Sequence, residues 1–135
     1  RMLWRICLGH YSFYKGGGHM ENSLASREWI DSNPLTIIDI GKVHFCLEYR
    51  SVEVCGQEVE LTTKEFDILA LLIMNPRRVF TYEMIMDLVW HEDYDIYARR
   101  TIINHISNIR KKLMSVPGVP NYIKSVHSVG YKFNE

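Results

Sequence analysis

The sequence has no run of about 18 consecutive apolar residues, the length a helix needs to cross a hydrocarbon core, so no membrane-spanning helix is expected. Cysteine is scarce: Cys7, Cys46 and Cys55 are three among 135 residues, an odd number without paired ligand spacing. That argues against a disulfide scaffold and a thiolate zinc site, and a reducing cytoplasm is the simplest setting. Four prolines and eight glycines are too few for a fibrous or low-complexity chain. Net charge is absent as well, with sixteen Lys and Arg against sixteen Asp and Glu. What remains, 47% hydrophobic and 24% charged, is an ordinary globular composition with room for one domain and a tail.

The zero net charge averages two opposed halves. From residue 98 to 135 the chain carries seven basic residues, Arg99, Arg100, Arg110, Lys111, Lys112, Lys124 and Lys132, against the single acid Glu135. From residue 21 to 97 the balance reverses, with six basic residues against fifteen acids. A basic end carried by a helix is an electrostatic footprint for nucleic acid, with the acidic remainder turned away from it.

Residues 1–20 do not fit the rest. Leu3, Trp4, Ile6 and Leu8 follow a basic start, but Arg5 breaks the run and it is too short for a signal peptide. Gly16-Gly17-Gly18-His19-Met20 reads as a flexible scar, so 1–20 is taken as an appended segment, 21–34 as a linker and 35–135 as the domain. Leu24, Trp29 and Ile30 offer the linker one helical turn against the body. From Leu35 the period becomes two. Thr36–Ile40, Val43–Leu47, Val52–Cys55 and Val59–Leu61 predict an antiparallel meander of about four strands. A two-residue turn at Arg50-Ser51 would set Cys46 opposite Cys55 and group His44 with both thiols, a conceivable metal site that adjacent-strand packing explains more simply. Gly56-Gln57 supplies the next tight turn.

Thr62-Thr63-Lys64-Glu65 is a capping box and opens a helix apolar over more than half its circumference, which Asn75-Pro76 ends. Val79-Phe80 is a short extended piece. Thr81 caps a second helix, with Glu83 in its first turn and Met84, Ile85, Leu88 and Val89 on its apolar side, ending at Trp90. His91, Glu92, Asp93, Tyr94 and Asp95 form an acidic, aromatic loop. A metal or catalytic reading of this loop lacks converging geometry, and a protein-contact loop suits it better.

Tyr97–Met114 predicts a third helix. Ile102, Ile106, Ile109 and Leu113 fall on one narrow arc, and Arg100, Asn104, Ser107 and Lys111 lie opposite, flanked by Thr101 and Asn108. That outer face holds donors and no carboxylate, which suits phosphates and base edges. Pro117 and Pro120 forbid continuation, and Tyr122–His127 with Tyr131–Phe133 predict a closing hairpin.

Strands, helix, strand, helix, loop, basic helix and basic hairpin is the order of a winged helix-turn-helix, an α+β fold. From about Leu35 to Phe133 the sequence resembles the effector domain of OmpR/PhoB-type response regulators of bacterial two-component systems. The match rests on Leu61–Leu69, Asn75–Thr81, Leu88-Val89-Trp90, Arg100-Thr101, His105-Ile106, Ile109–Leu113 and Gly130–Phe133. The resemblance implies DNA binding without catalysis, metal or cofactor, with residues 97–114 as the recognition helix in the major groove and 122–133 as the wing. On that basis Asn104 and Asn108 read bases, while Trp90, Arg100, Thr101, His105, Ser107, Arg110 and Lys111 hold the DNA backbone. Ser125, His127, Tyr131 and Lys132 are the wing candidates. His91–Asp95 corresponds to the family's transactivation loop, an RNA polymerase contact, and members usually bind promoter direct repeats as head-to-tail pairs. Nothing in this sequence resembles the family's receiver domain. One departure stands out: His127-Ser128 replaces the usual Arg-Gly before the wing turn, which removes a fixed charge and places serine where glycine's freedom is useful. A winged-helix protein-interaction module, its basic face meeting an acidic partner, is the reading from another class.

Overall fold

The computed structural model describes residues 34–135, so the expectations for 1–20 and for nearly all of the linker lie outside the described residues. The chain first builds a four-stranded antiparallel sheet in the order β1 (Ile37–Ile40), β2 (Val43–Cys46), β3 (Ser51–Val54) and β4 (Gln57–Glu58). Val43, Phe45, Val52 and Val54 are buried on its inner face, as the alternation predicts.

The β2–β3 register departs from the two-residue turn. Cys46 pairs with Ser51 rather than Cys55, because Leu47–Arg50 forms a wider turn closed by the Arg50 amide on the Leu47 carbonyl at 3.1 Å. Arg50 takes a left-handed φ of 49°. From there its guanidinium covers the Phe66 ring and meets Asp67 at 3.0 Å, contacts that a two-residue turn would not reach. The shift is an even number of residues, so the faces survive, but Tyr49 leaves the apolar face and is 71% exposed. Cys46 is buried and Cys55 lies exposed in the next turn, so the trio of His44 and two thiols is not assembled. That turn is Cys55-Gly56 rather than Gly56-Gln57. Both residues have positive φ, as a two-residue hairpin with the right-handed strand twist requires.

Helix α1 (Thr63–Ile73) begins with the expected capping box: Thr62 Oγ1 accepts from the Glu65 amide at 3.3 Å, and Glu65 Oε1 accepts from the Thr62 amide at 3.0 Å. Phe66 stacks on Phe45 and joins helix to sheet. Strand β5 (Phe80–Thr81) leads into α2 (Tyr82–Ile85), whose cap is Thr81 Oγ1, accepting from the Met84 amide at 3.1 Å. Over Met86–Trp90 the helix widens to π-type hydrogen bonding and stops at left-handed His91. The wider turn accompanies burial of both Leu88 and Val89, consecutive residues, while Trp90 stays half-buried. Helix α3 (Ala98–Leu113) packs on α1 and α2.

The closing hairpin, β6 (Ile123–Val126) and β7 (Gly130–Phe133), is not alone. Phe80 and Thr81 pair with Tyr131 and Gly130, giving a three-stranded sheet in the order β5-β7-β6. A two-stranded wing would leave the far edge of β7 unpaired beside the core, and β5 satisfies it. The pairing is close at Gly130, where an added Cβ would overlap the Phe80 carbonyl. One continuous core runs from Val43 to Phe133 through all three helices.

Two stability tests arise here. Gly130→Ala must push β5 from β7 and should cost about 3 kcal/mol in urea unfolding; a loss below about 1 kcal/mol would contradict the close pairing. Glu65 is buried, which pushes its carboxyl pKa up, but the Lys112 ammonium and the Thr62 amide outweigh burial and hold it below the ordinary 4.5. Its stabilisation is therefore present above about pH 4.5 and lost as pH falls through the lower folded value. Glu65→Gln should flatten the decline of the urea midpoint between about pH 5 and pH 3; an unchanged slope would assign the acid limb elsewhere.

Candidate nucleic-acid interface

The interface is set by how α3 is held. Ile102, Ile106, Ile109 and Leu113 are buried, as their spacing of four, three and four predicts. Two polar residues flank this stripe on opposite sides, and each is tied down. On one flank Arg110 donates from Nε and Nη2 to the Ile123 carbonyl at 3.1 and 2.8 Å, and from Nη2 to Ser125 Oγ at 2.8 Å. Its guanidinium also covers the Tyr131 ring. On the other flank Lys112 Nζ reaches the buried Glu65 Oε1 at 2.5 Å. Stripe and tethers together fix the rotation of α3 about its own axis.

The face opposite the stripe presents Arg100, Asn104, Asn108 and Lys111, all exposed, with Ser107 half-buried among them. Among the described residues none of these four side chains is held by another. The helix begins with a carboxylate below it: Asp95 Oδ1 accepts from the Tyr97 and Ala98 amides, both at 2.8 Å. Basic Arg110, Lys111 and Lys112 occupy the last turn, where the helix dipole favours cations.

Other expected contacts have internal partners. Thr101 donates its hydroxyl proton to the Tyr97 carbonyl at 3.1 Å. His105 Nδ1 lies 2.7 Å from the Thr101 carbonyl, so Nδ1 carries a proton and Nε2 is left facing elsewhere. The His105 ring meets Trp90 edge-on at 5.1 Å, and Lys64 sits over the same indole while bonding the Val89 carbonyl. Trp90 therefore joins α1, α2 and α3.

In the wing, His127 and Ser125 are exposed and Lys132 is half-buried. Tyr131 is not on the surface: it is 4% exposed, edge-on to Tyr82, between β7 and α2. Burial, reinforced by the Tyr82 hydroxyl, pushes its phenol pKa up to about 12 despite Arg110 and Arg99 nearby. Its place in the core, with the Arg110 guanidinium over its ring, makes it a support for Arg110. The turn closes by the Val129 amide on the Val126 carbonyl at 2.9 Å, and Ser128 adopts φ 61°.

The family described as Transcriptional regulatory protein, C terminal, matches residues 56–133, more than half of the chain. The chain belongs to that family. It is a winged-helix effector domain of the OmpR/PhoB type, a class of DNA-binding transcription regulators rather than enzymes. It is 36% identical over 73% of its length to the transcriptional regulatory protein YcbL of Bacillus subtilis, of which it covers 43%. The chain thus spans less than half of that relative. Among solved structures it is similar to the DNA-binding domain of RstA from Klebsiella pneumoniae in complex with the RstA box, at TM-score 0.65 and 28% identity over 73% of this chain and 97% of that one. It is also similar to the response regulator DrrB of Thermotoga maritima, an OmpR/PhoB homologue, at TM-score 0.64 and 30% identity over 73% of this chain and 44% of that one.

Within this OmpR/PhoB-type domain the loop from His91 to Tyr94 is exposed, while the Asp95 carboxylate accepts from the Tyr97 and Ala98 amides where α3 starts. Sequence reasoning missed the Arg110 and Lys112 tethers, because a basic residue beside an apolar stripe carries no mark of its partner. It also passed over Arg99, which covers the Tyr82 ring. Glycine at position 128 would escape the left-handed penalty of roughly 1–2 kcal/mol that a side chain incurs. After its greater unfolded-state entropy, Ser128→Gly should raise stability by about 0.5 kcal/mol in urea unfolding. A loss of stability would mean that the Ser128 side chain anchors the turn.

Proposed function

We propose that this effector domain, residues 35–135, binds promoter DNA sequence-specifically in the bacterial cytoplasm, with α3 in the major groove. The observation that carries the reading is the outer face of α3: four exposed polar or basic side chains on a helix whose rotation is fixed from three sides. Asn104 and Asn108 read base edges, since a carboxamide pairs bidentately with adenine N6 and N7. Arg100, Ser107 and Lys111 meet phosphates around them, with Thr101, His105 and Trp90 behind. Arg110 holds the wing at its angle to α3, and any phosphate contact it makes is secondary to that.

Ser125, His127 and Lys132 follow the adjacent DNA backbone or minor groove. The domain pairs head to tail on direct repeats, and His91–Tyr94 faces RNA polymerase. RstA of Klebsiella pneumoniae, solved on its RstA box, supports the DNA reading through fold and identity.

The test is a binding series with duplexes selected from a random library. Asn108→Ala should lose about 1–3 kcal/mol at the selected site and little on random duplex. Arg100→Ala with Lys111→Ala should weaken both alike and lower the salt slope by about 2. Equal losses for Asn108→Ala on both duplexes would move Asn108 to the phosphate contacts. Salt-independent binding would contradict the DNA reading, and failure of non-specific duplex to compete for the basic face would favour an acidic protein partner instead.

A further inference from the structure

Helix α3 contains four isoleucines, and three of them are fully buried. Ile103 is the exception at 40% exposed, on the flank between the apolar stripe and the polar face. With Arg99, Arg100, Asn104 and Ile96 it lines one shallow depression on the outer side of the helix. The core does not need it there. Its polar neighbours in that depression are two arginines and an amide, with no carboxylate, so the charge fits a polyanion and not a basic protein surface.

In the major groove, the apolar group that the base pairs offer is the thymine C5 methyl, and an adenine read by a carboxamide brings that methyl on its paired base. We propose that Ile103 is a further specificity residue, packing on a thymine methyl beside the base pair that Asn104 reads. The site recognised at this end of α3 is then an A·T step, fixed by an amide for the adenine and a branched apolar side chain for the methyl. Arg110, a guanine-reading side chain in other settings, is engaged by the Ile123 carbonyl and Ser125. This inference rests on the insertion of α3 in the major groove proposed above.

The full chain is used to select duplexes from a random library, and each thymine of the selected site is then replaced singly by deoxyuridine, which removes the methyl alone. At one thymine per half-site the native chain should bind about fourfold more weakly, the equivalent of ~0.8 kcal/mol for one buried methyl-sized group. Ile103→Ala should bind the thymine duplex about as weakly as the native chain binds the deoxyuridine duplex, and should show no further loss on deoxyuridine. Because Ile103 lies outside the core, circular dichroism and the urea midpoint of the variant should match the native chain. Insensitivity of the native chain to every replacement would overturn the proposal. So would a methyl effect that persists in Ile103→Ala, which would assign it to Ile96, 84% exposed in the same depression. A library yielding no enriched sequence would overturn the base reading itself, and this inference with it.

Discussion

Burial of one narrow arc of α3 governs everything that the domain presents to its surroundings. Ile102, Ile106, Ile109 and Leu113 lie against α1 and α2, and side chains of this size contribute roughly 1.5–3 kcal/mol each when fully buried. The stripe sets where the helix lies but leaves it some freedom to roll. Arg110 and Lys112 remove that freedom from opposite flanks, one through the backbone of β6 and the other through a buried carboxylate on α1. The outer face is consequently an oriented array, and base reading requires orientation where phosphate attraction does not.

The same tethers change the electrostatics. Of the basic residues at this end of the chain, Lys112 is neutralised by Glu65, Arg110 is engaged by the wing, and Arg99 lies over Tyr82. Arg100 and Lys111 remain on the outer face beside the two asparagines. Glu65 joins these features to the fold: one buried carboxylate closes the capping box of α1 and anchors the last turn of α3. Its replacement acts on a helix start and on the interface together.

Most of the architecture was legible in the sequence because period and punctuation agree there. The capping box at Thr62, the stop at Asn75-Pro76, the cap at Thr81 and the isoleucine stripe each have a local cause, and the structure shows each of them. The misjudged features depend on distant partners. The β2–β3 turn is set by Arg50 reaching α1, and β5 joins the wing because β7 has an edge to satisfy. Tyr131 shows the limit for the site: its place in the chain suits a wing contact, yet alternation along β7 puts its ring on the same face as Phe133, against Tyr82. Asp95, likewise, is one acid among several in its loop until the amides above it are seen.

The central claim is that α3 presents Asn104 and Asn108 to base edges while its cations meet the backbone. The most direct measurement follows side-chain resonances of isotope-labelled protein during titration with a selected duplex and with a scrambled duplex of equal composition. The Asn104 and Asn108 amide groups should shift with the selected duplex alone, whereas the Arg100 and Lys111 side chains should respond to both. Unmoved asparagine amides on the selected duplex, with shifts concentrated on the four-stranded sheet, would contradict the account.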